Sequence, residues 1–321
     1  MKKLSTKILL IGLAGLVVIF VASRFFRSPA RESNLRKELI TLDTASVSEV
    51  RILPSKDQTD EMRLTRDGRN WKVTKGSRSE PSDRAAVKNI LGVMANLRAQ
   101  RLASRKKEKW EDFKVGETST HVTAYGQGKK LADFHVGKVG FTQGEGGMYG
   151  GSYTYVRLSD ETEVYTVDGF LEPAFNTSFN EWRDKTFLKL NKDDIIKLSF
   201  TYSDSGFVVS KRDSVWFIGN EKADPAKVDR VIQSFASKYL TEFVDGFVPP
   251  SPANAVIHVD GKSGNLVTLE GWKGENGEWT LTSSLQKGIY FSSKGSSVVT
   301  DILIGRKKFL PESKSKAGSK K

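Results

Sequence analysis

The 321-residue chain has no cysteine. That excludes a disulfide framework, thiolate metal ligands, a cysteine nucleophile and a lipidated N-terminal cysteine. It leaves the compartment undecided, because disulfide-free proteins occur in reducing and oxidising spaces alike. Histidine is scarce as well, with only His121, His135 and His258. None has the H-E-x-x-H pattern or the i, i+4 helical spacing of a zinc site, and all three fall in segments of strand character. The expectation is structural or solvent-facing imidazoles and no metal site.

Other catalytic signatures are missing too. There is no G-x-S-x-G elbow, and Ser104-x-x-Lys107 lacks the companion motifs of a serine acyltransferase. The carboxylate pairs Glu111-Asp112, Asp160-Glu161 and Asp193-Asp194 are adjacent, whereas two-carboxylate catalysis needs groups converging across a cleft. The glycine-rich run at 144–151 (GEGGMYGG) has no lysine and no following helix. It therefore matches neither a phosphate loop nor a dinucleotide fingerprint. The sequence predicts no catalytic residue and no cofactor.

Charge is missing from the middle of the chain. The net charge of +13 comes from two ends: residues 1–37 carry eight Lys/Arg against Glu32, and residues 305–321 carry seven against Glu312. That leaves 36 residues of each sign in 38–304. A neutral body argues against a nucleic-acid partner. The basic cluster Arg98, Arg101, Arg105, Lys106, Lys107 and Lys109, with Trp110 and Phe113 beside it, reads as a solvated helix end.

One long apolar run is present. Ile8, Leu9, Leu10, Leu13, Leu16, Val17, Val18, Ile19, Phe20 and Val21 lie in 8–26 (ILLIGLAGLVVIFVASRFF), preceded by the basic stretch Lys2, Lys3 and Lys7. The run is at the short end for a spanning helix and fits one if Lys7 and Arg24 snorkel to the interface. The expectation is a basic n-region over 1–7, a transmembrane signal anchor over 8–26 and a basic stalk over 27–44. A signal peptide cleaved near Val21-Ala22-Ser23 is the alternative. The flanking positive charges are nearly balanced and on a strict count slightly favour a cytoplasmic body. The secretory layout of the N-terminus and the neutral, strand-rich body favour the outer face of a bacterial inner membrane.

The body repeats itself. Residues 62–73 read MRLTRDGRNWKV and 207–218 read FVVSKRDSVWFI. In each, apolar residues alternate before a turn and resume after it, which is a hairpin pattern ending in a tryptophan, Trp71 or Trp216. Both tryptophans read as core residues where a helix lands on a sheet. Each hairpin precedes an amphipathic helix opened by an aspartate cap. Asp83 leads the stripe Val87, Ile90, Leu91, Met94 and Leu97; Asp224 with Pro225 leads Val228, Val231, Ile232, Phe235 and Tyr239. More strands follow each helix, and the pattern 185–188 (KTFL) is paired with 307–310 (KKFL) as a common ending. This predicts an α+β protein of two tandem similar units over 45–190 and 191–310, each mainly antiparallel sheet with a packed helix, then a disordered basic tail over 311–321.

Trp71 after a hairpin, the helix opening at Asp83, the strands at 155–157 (YVR) and 164–165 (VY), and Trp182-Arg183-Asp184-Lys185 together resemble the bacterial family known as domain of unknown function 4340. The resemblance covers about 45–310 and rests on short degenerate motifs; the second unit departs from it at Arg306, where the first has Asp184. It implies one N-terminal membrane segment and genes adjoining those of an ABC-type exporter and a gliding-motility auxiliary protein. It thereby implies a non-catalytic periplasmic accessory protein, partnered by the inner membrane and by exporter or gliding-type subunits. It carries no catalytic residues. An envelope-polymer hydrolase with a site between the units is the competing reading. Landmarks common to both units are core, cap and turn residues, so partner binding is expected where the units differ: Gly144, Gly146, Gly147, Met148 and Tyr149, and the loop at Arg105, Lys106 and Lys107. The oligomeric state is not legible.

Overall fold

A computed structural model of the chain describes residues 36–55, 60–143 and 149–312, together with 13, 15 and 16. It divides into two compact units, one ending at Phe179 and the other beginning at Asn180.

The first unit is a nine-stranded antiparallel sheet. Its strands are β1 (Glu49–Leu53), β2 (Met62–Asp67), β3 (Asn70–Lys75), β4 (Arg78–Pro81), β5 (Ala99–Ser104), β6 (Thr120–Gly126), β7 (Lys129–Gln143), β8 (Tyr149–Leu158) and β9 (Val164–Asp168). They lie in the order β4-β3-β2-β1-β6-β7-β8-β9-β5. The alternation seen in the sequence becomes one buried face. Ile52 on β1 faces Met62 on one side and Val122 on the other, and Val122 faces Phe134, which faces Leu158. All five are buried. Helix α1 (Arg84–Ala95) leaves the β4 edge and delivers the chain to β5 at the opposite edge, so it crosses the sheet. Its buried residues are Val87, Ile90, Leu91 and Met94, and burial of side chains this size contributes roughly 1.5–3 kcal/mol each. Asp83 starts the helix by accepting from Ala85 N at 2.7 Å and Ala86 N at 3.2 Å.

The second unit repeats this connectivity. Its strands are β10 (Thr186–Lys189), β11 (Ile195–Tyr202), β12 (Gly206–Arg212), β13 (Val215–Ile218), β14 (Glu221–Lys222), β15 (Ser237–Tyr239), β16 (Ala255–Gly261), β17 (Gly264–Lys273), β18 (Trp279–Ser283) and β19 (Phe291–Ser292). Eight of them form the order β14-β13-β12-β11-β16-β17-β18-β19, and β10 pairs separately with β15. Helix α2 (Pro225–Ala236) buries Val228, Val231, Ile232 and Phe235, and Asp224 caps it through Ala226 N and Lys227 N. The tryptophans occupy matching registers, Trp71 opposite Arg66 and Trp216 opposite Lys211. Trp71 is buried, whereas Trp216 is half-buried against the second core.

Several expectations need correction. The class is mainly antiparallel β rather than α+β. Apart from the two twelve-residue helices, the helical segments among the described residues of the body are single turns of three or four residues, so helices form no layer of their own there. Among the described residues no helix is long and apolar enough to cross a membrane. The expected anchor at 8–26 lies outside the described residues except for Leu13, Gly15 and Leu16, as do the n-region and 313–321 of the tail.

The expected stalk reaches too far. Residues 36–40 are folded onto the chain after α1: Glu38 bridges Arg98, Leu39 N donates to Leu97 O at 3.0 Å, and Ala99 N donates to Lys37 O at 2.7 Å. Leu39, Ile40 and Leu42 are buried. This pairing is the counterpart of β10 with β15. Each is followed by a matching turn, in which Asp43 accepts from Ala45 N at 2.9 Å and Asn191 from Asp193 N at 3.3 Å. The segment 185–188 therefore begins the second unit instead of ending the first. Its supposed partner at 307–310 is largely a 3-10 turn, Arg306–Phe309, with Phe309 in the core.

Candidate functional site

The largest difference between the units is the β7–β8 hairpin. Strand β7 runs for 15 residues, but β6 pairs with it only up to Val136, and β9 pairs with β8 only from Tyr153. Beyond both points Phe141 faces Ser152 and Thr142 faces Gly151. The hairpin thus extends past the β6 and β9 ladders as a two-stranded arm. A bulge between Val136 and Val139 sets its direction. Glycine is required there, since a Cβ on Gly137 would lie 2.4 Å from the Phe113 carbonyl oxygen. Phe141 on the arm is 61% exposed and Phe170, after β9, is 56% exposed.

At the root of the arm one sheet face carries cations between aromatic rings. Tyr153, Tyr155 and Arg157 alternate along β8 and point the same way. Arg101 lies 5.4 Å from the Tyr153 ring, and Lys138 lies 5.8 Å from the rings of both Phe113 and Tyr155. The Phe113 and Tyr155 rings are 4.5 Å apart. The Tyr153 and Tyr155 hydroxyls are 3.4 Å apart; the bond from Tyr155 and the nearby Arg101 draw the Tyr153 phenol down from its usual value. Arg157 is buried, with its guanidinium 3.8 Å from the Trp110 ring. It donates to the carbonyls of Val115 (2.9 Å), Leu158 (3.2 Å), Ser159 (3.3 Å) and Glu161 (3.4 Å). It thereby fastens the segment 105–119 over the sheet. Burial lowers its pKa, but a guanidinium keeps its charge.

Beneath that segment lies a polar row. His121, His135 and Arg157 are in register on β6, β7 and β8, and the two imidazoles stack at 4.5 Å. Asp133 contacts His121 Nε2 at 2.6 Å and accepts from Ser159 Oγ and Lys130 Nζ, each at 2.5 Å. Burial pushes the Asp133 carboxyl up, but the hydrogen bonds from Lys130, Ser159 and His121 outweigh it and bring the group down to about 2. Ser119 Oγ lies 2.9 Å from His135 Nδ1 and 2.5 Å from Gly116 O.

This looks like a nucleophile with its base, yet the parts do not assemble. Burial first, then Arg157 and His121, push His135 down to about 3, too weak a base to activate a hydroxyl at neutral pH. Asp133 orients the other histidine. Among the described residues no cluster of three His, Asp or Glu is placed to hold a metal.

The expected site residues are dispersed. Gly144, Gly146, Gly147 and Met148 lie outside the described residues; Tyr149 opens β8. Arg105 and Lys106 sit in the loop after β5, and Lys107 stands 5.0 Å from the Trp110 ring. That loop runs into the fastened segment, and Arg105, Lys106, Lys107 and Lys109 are exposed at the start of its helical turns, a solvated helix end. Lys109 is paired with Asp112 at 2.7 Å. Trp182 is buried in the single turn Phe179–Trp182. Sequence reasoning missed Arg157, Tyr153, Lys138 and Phe141.

A family model described as "Domain of unknown function (DUF4340)" matches residues 71–255. No curated protein and no solved structure matches the chain.

Proposed function

The chain belongs to the domain of unknown function 4340 family, and from that membership we propose a non-catalytic accessory scaffold of the bacterial envelope that docks a partner protein on its β7–β8 arm. The partner is a subunit of an ABC-type export or gliding-type complex, and the body faces the periplasm at the inner membrane. The observation that carries the reading is the arm, a two-stranded ribbon that runs past the β6 and β9 ladders and carries the exposed Phe141. An isolated two-stranded ribbon is marginal in water, and open strand edges accept a further strand from another chain. The Arg101, Lys138, Tyr153 and Tyr155 face at its root favours an acidic or aromatic segment flanking that added strand. The buried, weakly basic His135 beside Ser119 supports binding over hydrolysis.

A photo-reactive residue at Phe141, introduced into the full chain in native membranes, tests this. The expected product is a cross-link to an exporter or gliding-type subunit, and the same subunit should co-purify with the parent chain but not with a chain in which 140–151 is replaced by a two-residue turn. Co-purification that survives removal of the arm, or an arm position that captures no such subunit in intact membranes, refutes it.

A further inference from the structure

We propose that the first unit carries a binding site for a phosphate-bearing ligand in the cleft between the β2–β3 hairpin and the first turns of α1, built from Arg69, Arg84 and Lys88 around Arg66. The cleft has a volume of about 480 Å³, and no carboxylate lines it. That volume exceeds a lone phosphate and leaves room for the group that carries it.

Arg66 is the fixed member. Its guanidinium lies 4.8 Å from the Trp71 ring, with Nε donating to Val47 O at 2.8 Å and Nη2 to Thr44 O at 3.1 Å. Arg69, Arg84 and Lys88 have no ion pair and no side-chain hydrogen bond among the described residues. Neighbouring cations of the same sheet are matched: Lys72 with Asp67 at 2.8 Å, Lys75 with Asp60, and Arg63 with Glu61 at 3.3 Å. Asp83, next to Arg84, has an oxygen committed to the N–H groups of Ala85 and Ala86. Gathering cations in one cleft costs mutual repulsion, which an oxyanion relieves, and two guanidinium forks suit a tetrahedral anion in particular.

The second unit supplies an internal control. Aligned on Trp71 with Trp216 and on Asp83 with Asp224, the positions of Arg69, Arg84 and Lys88 are occupied by Ser214, Pro225 and Asp229. The same hairpin and capped helix form there without these three cations, while Arg66 keeps a cationic counterpart in Lys211. Their presence in the first unit is therefore not a requirement of the fold.

The test exchanges these residues for the second unit's own: Arg69→Ser, Arg84→Pro and Lys88→Asp in one variant of the full chain. Arg84 is the first helical residue, where proline is favoured, and Asp83 before it has an extended ψ of 112° that proline tolerates. Thermal melting by circular dichroism checks that the variant folds. Two probes separate the sources of phosphate: titration with inorganic phosphate, and flotation with phosphatidylglycerol against phosphatidylcholine vesicles. The expected result is binding to one of them that weakens about tenfold for each cation removed and falls as salt rises. Binding of inorganic phosphate identifies a soluble ligand, and binding of phosphatidylglycerol vesicles alone identifies a lipid headgroup. Binding equal in variant and parent, or no binding of either probe by the parent, overturns the proposal.

Discussion

Replacing Arg157 by methionine keeps an unbranched apolar stem that reaches about as far as Nε and removes the guanidinium with its charge and donors. The wild-type guanidinium makes two bonds of ordinary length, to Val115 O at 2.9 Å and Leu158 O at 3.2 Å, and two long ones that count for little. A charged donor contributes about 1.5 kcal/mol or more per bond, and the stacking on Trp110 at 3.8 Å adds about 1–2 kcal/mol. Relief of a buried charge offsets part of this, so the net loss is about 2–4 kcal/mol. It falls on the first unit, because Trp110, Val115 and Val164 form a small buried cluster that the guanidinium closes. Urea titration followed by hydrogen exchange, read separately for peptides of each unit, is the assay. Amides of 110–116 should lose protection first, and the first unit's midpoint should drop while the second unit's stays. A loss under about 1 kcal/mol, or an equal shift in both units, refutes the fastening role assigned to Arg157.

His135 predicts an acid sensitivity. Its folded pKa of about 3 lies below the unfolded value of about 6.5, so the unfolded state binds the extra proton between those values. Stability from this group is complete above pH 6.5 and is lost as pH falls from there towards 3, by at most about 1.4 kcal/mol per pH unit. Comparing urea midpoints of the first unit at pH 5 and 7 in the parent and in His135→Asn separates this group from Asp133, which, lowered to about 2, contributes only as pH falls below about 3.9. His135→Asn should flatten the profile, and greater stability at pH 5 would sink the assignment. The two arm glycines should separate by substitution to alanine. At Gly137 the obstruction is backbone, the Phe113 carbonyl, and the cost is about 1–3 kcal/mol of first-unit stability. At Gly140 a Cβ meets only the outer end of the Tyr153 ring, so Gly140→Ala should leave the melting temperature nearly unchanged. Equal losses at both positions would contradict this.

What could be read in advance follows from where each signal resides. Met62, Leu64, Trp71 and Val73 alternate because one face of β2 and β3 is buried, and Asp83 and Asp224 announce helices because an unsatisfied N-terminus needs an acceptor. Edge strands gave no such signal. In β4 the sequence is RSEP with no buried residue, and β14 has two exposed residues.

The polar row depended on register. The Gln127-Gly128 turn, with φ of 50° and 74°, pairs Gly126 with Lys129 and Tyr125 with Lys130. Counting on from there would set His121 opposite Phe134. A shift of one residue between Ala124 and Tyr125 sets it opposite His135 instead. One extra residue reverses every later side chain of the pair. It puts Phe134 into the core and His135 among charges, and nothing in the local composition marks it. Arg157 was missed for a similar reason, since its role appears only when the segment 105–119 is laid over β8.

The arm also bears on supply. On the proposed docking role, an arm that runs past its own sheet is covered only in the complex, so copies made in excess of the partner leave arms that can pair with one another. The number of these chains a cell can keep unassociated would then follow the number of partner molecules.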